Sequence, residues 1–242
     1  MRRLQLLTLA ALLAACHTPA ETVPVSPNLA SPGPVNKLTA QEKSEGFVLL
    51  FDGKKTTGWR GYRQKTFPDG WKVDKGALTR VSPAGDIITD SMYGNFDLRL
   101  DWMISPAGNS GIMYRVTEEG EDSYMSGPEY QILDNVLAKD GGNLLTIAGA
   151  CYGLYPSARS LVRPAGEWNV ARIVVNGSDV QHWLNGIKIV EYHLGSADWE
   201  AKVKASKFAQ WPIYGRASKG YIALQDHGDW VAYRSIRIRA LP

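Results

Sequence analysis

The chain has 242 residues, with 27 lysines and arginines, 24 aspartates and glutamates, and a formal net charge of +3. Its basic residues are dispersed rather than clustered, which excludes the charged surface expected of a nucleic-acid-binding protein. The two cysteines and four histidines show none of the spacings of a structural zinc site. Eight tryptophans and eleven tyrosines can stack on sugar rings, although many are expected to fill the core.

The first residues indicate export. Two arginines precede an apolar stretch, Leu4–Ala15, that is too short to span a bilayer. Leu13–Cys16 resembles the lipobox of a bacterial lipoprotein, at which a signal peptidase cleaves before a cysteine that carries lipid. We therefore expect residues 1–15 to be a signal peptide and Cys16 to be the lipidated N-terminus. The alternative is an ordinary secretory signal in which the cysteine occurs by chance.

A proline-rich stretch follows, and residues 16–45 are expected to form an extended tether. His17, not aspartate, follows Cys16, which in enterobacterial-type sorting permits transfer to the outer membrane. We therefore expect a lipid-anchored protein of the bacterial cell envelope, in the outer membrane and facing the periplasm. Residues 46–242 form the mature domain. If Cys16 is lipidated, the single cysteine of this domain, Cys151, has no disulfide partner, and it is expected to be a small buried thiol.

Alternation of apolar and polar residues predicts antiparallel strands, most clearly from Phe96 to Ile104. Two Asn-Gly pairs, at Asn176 and Asn185, predict the corners of a three-stranded meander. Further strands are predicted at residues 47–51, 77–81, 111–116, 220–225 and 230–239. Only residues 196–207 suit a short helix. The pattern predicts an all-β, two-sheet antiparallel jelly-roll sandwich of the concanavalin or glucanase type.

The segment from Glu129 to Asp134 carries the clearest functional signal. Side chains two residues apart on a strand share a face, so Glu129 and Gln131 point the same way. Asp134 points to the other face unless a bulge inserts one residue. With a bulge, the three side chains form a row suited to binding and attacking a sugar. Without further evidence, the pattern also fits an edge strand with a solvated polar face.

Several motifs follow one another in the mature domain. They are Leu50–Lys54 with Gly58-Trp59, Gly108–Arg115, Glu129–Asp134, Val175–Gly177 with His182–Gly186, and Gly220–Gly228. From about Phe47 to Ala240, they resemble the 3-keto-disaccharide hydrolase family. The resemblance implies an exported, often lipid-anchored protein with a concanavalin-like jelly roll. It also implies cleavage of glycosides that are oxidised to a ketone at C3 of the sugar.

The same segment also resembles the Glu-x-Asp-x-x-Glu strand of retaining β-glucanases, from which it departs at Gln131 and Asp134. A retaining glycosidase needs two carboxylates roughly 5–5.5 Å apart. Replacing the central aspartate and shortening the second glutamate disfavour that mechanism. A ketone at C3 offers another route, because it makes the C2 hydrogen acidic. A base then removes this proton, the enolate expels the C1 substituent, and water adds back; direct hydrolysis stays open as an alternative.

Elimination needs a base, an acid, and donors or a metal at the enolate oxygens. No cofactor is identified by the sequence, although a divalent cation would suit these oxygens. The candidate catalytic residues are Glu129, Asp134, His182 and His227. The candidate substrate-binding residues are Asn109, Arg115, Gln131 and Gln225.

Histidine suits proton transfer because its pKa lies near working pH. His182 lies within a predicted strand, where a half-buried ring with satisfied nitrogens is the alternative, and His227 follows a strand end, a favoured position for site residues. Arg115 shares a face with Gly111 and would hold a ketone oxygen, or else form a surface salt bridge. We expect Glu129, Gln131, Arg115, His182 and His227 on one concave face.

Two other functions fit the same sequence. A non-catalytic carbohydrate-binding module would use aromatic and amide side chains to bind a glycan, and a glucanase-type glycosidase would use the carboxyl groups alone. If the protein is instead the lipid-anchored enzyme that cleaves 3-keto-glycosides, we expect a carbohydrate substrate and a membrane contact through the lipid anchor. The oligomeric state, the identity of the glycoside and any metal requirement are not determined by the residues.

Overall fold

The computed structural model describes residues 34–158 and 160–242, so the predictions for the signal peptide, Cys16 and most of the tether lie outside the described residues. Within these ranges the chain is nearly all β, with a short helix α1 (Ala40–Ser44) and a longer helix α2 (Ala197–Ala205). None of the described helices has the length and apolar character needed to cross a membrane.

Thirteen strands are found in the described part of the chain. In chain order they are β1 (Val48–Leu49), β2 (Trp59–Gly61), β3 (Trp71–Asp74), β4 (Ala77–Arg80), β5 (Ile87–Thr89), β6 (Phe96–Ile104), β7 (Asn109–Val116), β8 (Glu129–Leu133), β9 (Asn169–Asn176), β10 (Asp179–Leu184), β11 (Ile187–His193), β12 (Tyr221–Leu224) and β13 (Val231–Ala240).

These strands form two antiparallel sheets. The larger has the order β11-β10-β9-β6-β13-β4-β3, with β1 also paired to β13, and the smaller has the order β2-β5-β12-β7-β8. The prediction of a two-sheet, antiparallel all-β sandwich with little helix is confirmed. Three short strands, β2, β3 and β5, were not predicted, because three or four residues are too few to show a period.

The period-two pattern of β6 explains how the larger sheet is oriented. Phe96, Leu98, Leu100, Trp102 and Ile104 are buried between the sheets. The alternate residues face outward, where the Asp97 carboxylate accepts hydrogen bonds from Arg99 and Arg172. The Asn185-Gly186 corner has positive φ at both residues, 49° and 86°, as a two-residue type I′ turn requires.

Helix α2 is held against the sandwich by a stack of aromatic rings. Ser196 caps the helix by accepting from the Trp199 amide. The Trp199 ring stacks between Tyr192 and Tyr214, at centroid distances of 5.3 and 5.9 Å, and Phe208 stacks on Tyr214 at 4.1 Å. Burying these rings fixes the position of the short 3-10 turn Lys207–Gln210 that follows the helix.

Candidate active site

The outer face of the smaller sheet carries Glu129 and Gln131. Strand β8 pairs with β7 in regular register, with Glu129 opposite Met113 and Gln131 opposite Gly111. Tyr130 lies between them on the strand and points into the sandwich, where its hydroxyl donates to the Trp183 carbonyl at 3.1 Å. The strand period therefore places Glu129 and Gln131 together, on the side of the sheet that faces away from the core.

Gly111 makes room for the Glu129 carboxyl group. A Cβ atom at Gly111 would lie 2.3 Å from Oε1 of Glu129 and 2.9 Å from its Cδ, so the carboxyl group lies directly over the glycine. On the other side of Gly111, the backbone N–H of Gln225 donates to the Gly111 carbonyl at 3.0 Å. Glu129, Gln131 and Gln225 thus converge on one glycine, although they come from strand β8 and from the loop after β12.

The amide groups around Gly111 are buried but unpaired. Among the described residues, Oε1 and Nε2 of Gln131 and Oε1 of Gln225 have no hydrogen-bond partner. Oδ1 of Asn109, two residues before Gly111, is unpaired in the same way. Leaving a buried polar group unsatisfied costs about 1–3 kcal/mol, so such groups are rare without a function. Their grouping here leaves hydrogen-bonding capacity that suits a polar ligand such as a sugar.

The surroundings of Glu129 raise its pKa toward neutral pH. The side chain is only 6 % exposed. Burial raises the pKa of Glu129 to about 8, the positive charge of Lys207 opposes this rise, and the negative charge of Asp86 adds to it. A carboxyl group with such a pKa can accept or return a proton under working conditions, as general acid–base catalysis requires.

Lys207 and Tyr152 border Glu129, and sequence reasoning missed both. The Tyr152 amide donates to the Glu129 carbonyl at 3.1 Å, so residues 149–153 continue the sheet beyond β8. Cys151 pairs with Tyr130 and is buried in the core, so Tyr152 points to the face that carries Glu129. Nζ of Lys207 lies 4.4 Å from the centre of the Tyr152 ring. No local motif marks a single lysine or tyrosine that the fold brings here.

Asp86 is a second carboxyl group that the sequence did not single out. It immediately precedes β5 and accepts hydrogen bonds from the Asp226 amide at 2.8 Å and from the Ser123 hydroxyl. Burial raises the pKa of Asp86 to about 6, against the effect of these hydrogen bonds. Glu129 and Asp86 therefore have different proton affinities, an arrangement found where one carboxyl group acts as base and another as acid.

The prediction that His182 lies on this face is wrong. Its ring is fully buried between the sheets, where Nδ1 donates to the Gly149 carbonyl and Nε2 accepts from the Tyr114 hydroxyl, both at 2.9 Å. Burial lowers the pKa of His182 to about 4, so the ring is neutral. Tyr130 contacts His182 from the opposite face of β8 to Glu129. His182 is a core histidine whose two nitrogens are satisfied.

The prediction that Arg115 joins the face is also wrong. The register between β7 and β12 shifts next to Arg115, which has a positive φ of 53°. This bulge turns the side chain away from Gly111. The guanidinium group instead donates to the carbonyls of Gly94, at 3.2 Å, and Gly177, at 2.9 Å. Arg115 ties together loops at one end of the sandwich.

Asp134 was expected to join Glu129 and Gln131 only if β8 contained a bulge, and β8 has no bulge in its pairing with β7. Its carboxylate accepts from the amides of Ala107, at 2.8 Å, and Val136, at 3.0 Å, and thereby holds two turns. His227 is exposed on the loop after β12, two residues beyond Gln225. The roles proposed for Glu129, Gln131, Gln225, Asn109 and His227 remain predictions.

No group of three or more histidine, cysteine, aspartate or glutamate side chains is arranged to hold a metal ion within residues 34–158 and 160–242. The structure therefore identifies no ligand set for the divalent cation that enolate chemistry would accommodate.

Replacing Gly111 by alanine is expected to reduce activity without unfolding the domain. The new methyl group would overlap the Glu129 carboxyl group, a flexible side-chain end that can move, whereas the strand backbone can stay. Misplacing a reacting group by about 1 Å can cost ~10²-fold in rate. The variant should therefore lose turnover while its melting temperature changes by only a few degrees. Gly142→Ala, where a Cβ meets nothing within 4 Å, is the control.

The sequence is similar to a known domain family and to an enzyme of known activity. Residues 46–239 match the model of the 3-keto-alpha-glucoside-1,2-lyase-like domain. A 3-keto-disaccharide hydrolase of Bacteroides thetaiotaomicron is 34% identical over 233 residues, which cover 82% of this chain and 79% of that protein.

Solved structures agree with the sequence matches. A candidate glycosyl hydrolase of Parabacteroides distasonis is 35% identical, with a TM-score of 0.80 over 86% of this chain and 100% of its own. A second candidate glycosyl hydrolase of that organism is 28% identical, with a TM-score of 0.58 over 76% of this chain and 99% of its own.

Proposed function

Because this chain belongs to the 3-keto-alpha-glucoside-1,2-lyase-like family, we propose that it cleaves the glycosidic bond of glycosides that carry a ketone at C3 of the sugar. The curated relative, a 3-keto-disaccharide hydrolase, supports a disaccharide as the substrate. One observation carries the proposal. The buried Glu129 carboxyl group lies over Gly111 among unpaired amide groups, where a sugar would meet both a proton acceptor and hydrogen-bond donors.

In the proposed reaction, ionised Glu129 removes the proton from C2, and the electrons of that bond form an enolate with its negative charge on the C3 oxygen. When the ketone re-forms, the C1–oxygen bond breaks and C1=C2 becomes a double bond. The departing oxygen takes a proton and leaves as an alcohol. Water then adds across C1=C2, with its hydroxyl on C1 and a proton on C2, so the net change is hydrolysis.

The site residues have further tasks in this scheme. The amides of Gln131 and Gln225 bind sugar hydroxyl groups, since their buried polar atoms have no hydrogen-bond partner among the described residues. Once Glu129 holds the C2 proton it can donate to the leaving oxygen, because burial raises its pKa to about 8 and favours its protonated form at neutral pH. Tyr152 presents an aromatic ring beside Glu129 on which a sugar ring can stack.

Released sugar is the direct test of this function. The purified protein is incubated with a disaccharide and, separately, with its 3-keto form, and free sugars are measured. Cleavage of the 3-keto form alone is expected. If the reaction is run in D₂O, elimination and hydration place deuterium on C2 of the product, whereas direct hydrolysis leaves C2 protonated. Equal cleavage of both substrates would indicate a conventional glycosidase instead.

A carbohydrate-binding module is the second candidate, and the unpaired amides favour it as much as they favour an enzyme. Measuring turnover of the 3-keto-disaccharide distinguishes the two functions. A binding module holds the 3-keto-disaccharide without releasing sugar, and its affinity survives replacement of Glu129 by glutamine. Binding measured by calorimetry, combined with no product after prolonged incubation, would decide for the module.

We also propose that the protein is anchored to the cell envelope by lipid on Cys16, on the basis of the Leu13–Cys16 motif alone. Cys16→Ser is expected to move most of the protein from the membrane fraction to the soluble fraction after cell lysis. Thr18→Ala, in the same tether, is the control and should remain with membranes. A Cys16→Ser protein that still sediments with membranes as the wild type does would contradict the anchor.

A further inference from the structure

Lys207 differs from the other lysines around helix α2 in its surroundings. Its Nζ lies 4.4 Å from the centre of the Tyr152 ring, 5.3 Å from that of Phe208 and 5.8 Å from that of Tyr124. Within the described ranges it forms no ion pair, whereas Lys202 pairs with Asp198 at 3.5 Å. Aromatic faces attract an ammonium group without neutralising it. Lys207 therefore keeps an unpaired positive charge.

The backbone of Lys207 is held firmly in this position. Ser206 caps the 3-10 turn by accepting from the Phe208 amide at 3.1 Å. Phe208 itself is buried and stacks on Tyr214 at 4.1 Å. Lys204 on α2 and Lys207 are both exposed, but of these two only Lys207 lies over aromatic rings in the described part of the chain. Lys207 starts from an anchored turn and extends over the Tyr152 ring.

The charge of Lys207 acts on the site described above. Tyr152, over which Nζ lies, is hydrogen-bonded through its amide to the Glu129 carbonyl and shares the face of that residue. Among charged groups, Lys207 has the largest influence on Glu129. The two side chains nevertheless form no ion pair in the described structure. A cation and a carboxyl group thus both lie beside Tyr152, and the charge of the first acts on the second.

We propose that Lys207 is a catalytic residue that binds the C3 oxygen of the substrate and stabilises the enolate formed when Glu129 removes the C2 proton. This inference rests on the proposed function and adds the group that stabilises the developing charge. The electron pair of the C2–H bond moves toward C3, the carbonyl π electrons move to oxygen, and the ammonium group donates a hydrogen bond to that oxygen. Lys207 keeps its proton throughout.

A cation is needed at this point because neutral amides stabilise an oxyanion less well. Hydrogen bonds from a charged donor are roughly twice as strong as neutral ones, and donors aimed at developing charge are among the largest contributions to catalysis. Gln131 and Gln225 supply neutral donors at most. Arg115, the arginine predicted to supply a charged donor, instead donates to the Gly94 and Gly177 carbonyls, away from Glu129.

The test compares three variants of the full-length protein on a 3-keto-disaccharide. Lys207→Met keeps the length of the chain but removes the charge, Lys207→Arg keeps the charge, and Lys204→Met is the matched control on α2. Removing one donor to an oxyanion typically lowers turnover by about 10²–10³-fold. We expect that loss for Lys207→Met, partial recovery for Lys207→Arg, and wild-type rates for Lys204→Met. Melting temperatures check that all three fold.

The pH profile separates catalysis from structural support. The groups that act on Glu129 are Lys207, from the turn after α2, and Asp86, before β5. Tyr152, Tyr214 and Cys151 also lie within its electrostatic reach. Without the cation, the pKa of Glu129 rises, so the pH at half-maximal kcat/KM should move upward in Lys207→Met. It should not move in Lys204→Met.

Three outcomes would overturn the role of Lys207, and the measurements distinguish them. If the wild type cleaves the 3-keto-disaccharide and Lys207→Met does so at the same rate with the same pH midpoint, the role of Lys207 is wrong and the proposed function stands. If the wild type releases no sugar from any 3-keto-glycoside, both proposals fail. A Lys207→Met protein with a lowered rate but an unchanged pH midpoint, and no recovery in Lys207→Arg, would also overturn a catalytic cation.

Discussion

Replacing Glu129 by glutamine is expected to lower turnover of a 3-keto-glycoside by roughly 10²–10⁴-fold, the usual contribution of a positioned proton-transfer group. Glutamine keeps the shape and hydrogen-bonding capacity of the side chain but cannot accept the C2 proton. Substrate affinity should change far less than turnover, since the amide still fits over Gly111. Steady-state kinetics and calorimetry measure the two effects separately.

The same substitution is expected to stabilise the fold at alkaline pH. Burial raises the pKa of Glu129 to about 8, whereas in the unfolded chain it returns to about 4.5. Between these values the unfolded chain is ionised and the folded protein is protonated, so this group lowers the stability progressively as the pH rises. Above pH 8 the full cost is present, and glutamine removes it.

Denaturant unfolding at pH 5 and pH 9 measures this effect. We expect Glu129→Gln and wild type to differ little at pH 5, and the variant to be more stable by about 1–4 kcal/mol at pH 9. Glu119→Gln, at an exposed position in the loop before β8, should alter neither stability nor turnover. Unchanged turnover in Glu129→Gln would rule out a catalytic carboxylate there.

Replacing His182 by alanine is expected to lower the free energy of unfolding by about 2–4 kcal/mol. The substitution removes a fully buried ring, leaves the Gly149 carbonyl without its side-chain partner and leaves the Tyr114 hydroxyl with the Tyr192 hydroxyl alone. Cavities and unsatisfied polar groups are the main causes of large destabilisation. Chemical denaturation of the two proteins at neutral pH gives the difference directly.

His182→Gln is the matched variant, because its amide can donate to Gly149 and accept from Tyr114. It should recover most of the stability and keep the turnover of the wild type per folded molecule. Burial lowers the pKa of His182 to about 4, from 6.5 for an ordinary histidine. In this window the unfolded chain binds the extra proton, so the wild type loses stability as the pH falls from 6.5 to 4, and His182→Gln loses less.

A His182→Gln protein that folds normally but has lost as much turnover as Glu129→Gln would contradict a core role. It would restore the catalytic role that the sequence had suggested for this histidine.

Local patterns were sufficient to predict the fold class and the shared face of Glu129 and Gln131. The alternation in β6 and the Asn-Gly corners depend on neighbouring residues alone, since side-chain direction and turn geometry are local properties. The same rule put Glu129 and Gln131 on one face of β8, and the structure has them there.

The errors arise where parity along one strand does not determine which face is exposed. Parity correctly groups His182 with Val180 and Leu184, but it does not say that this side of β10 faces the core. All three residues are buried there, and two internal hydrogen bonds satisfy the His182 ring. Arg115 was misplaced because a bulge in β7 reverses the parity after Met113. A bulge expected at Asp134 is absent, and turn amides use its carboxylate instead.

Thus the sequence by itself determined the two-sheet architecture and the pairing of Glu129 with Gln131, both of which follow from the two-residue period of a strand. Only the tertiary structure decided which polar side chains join them. Asp86 precedes another strand, Tyr152 lies on a segment added to the edge of β8, and Lys207 follows a helix held by stacked rings. Contacts between residues so far apart in the chain depend on sheet order and packing, which no local period encodes.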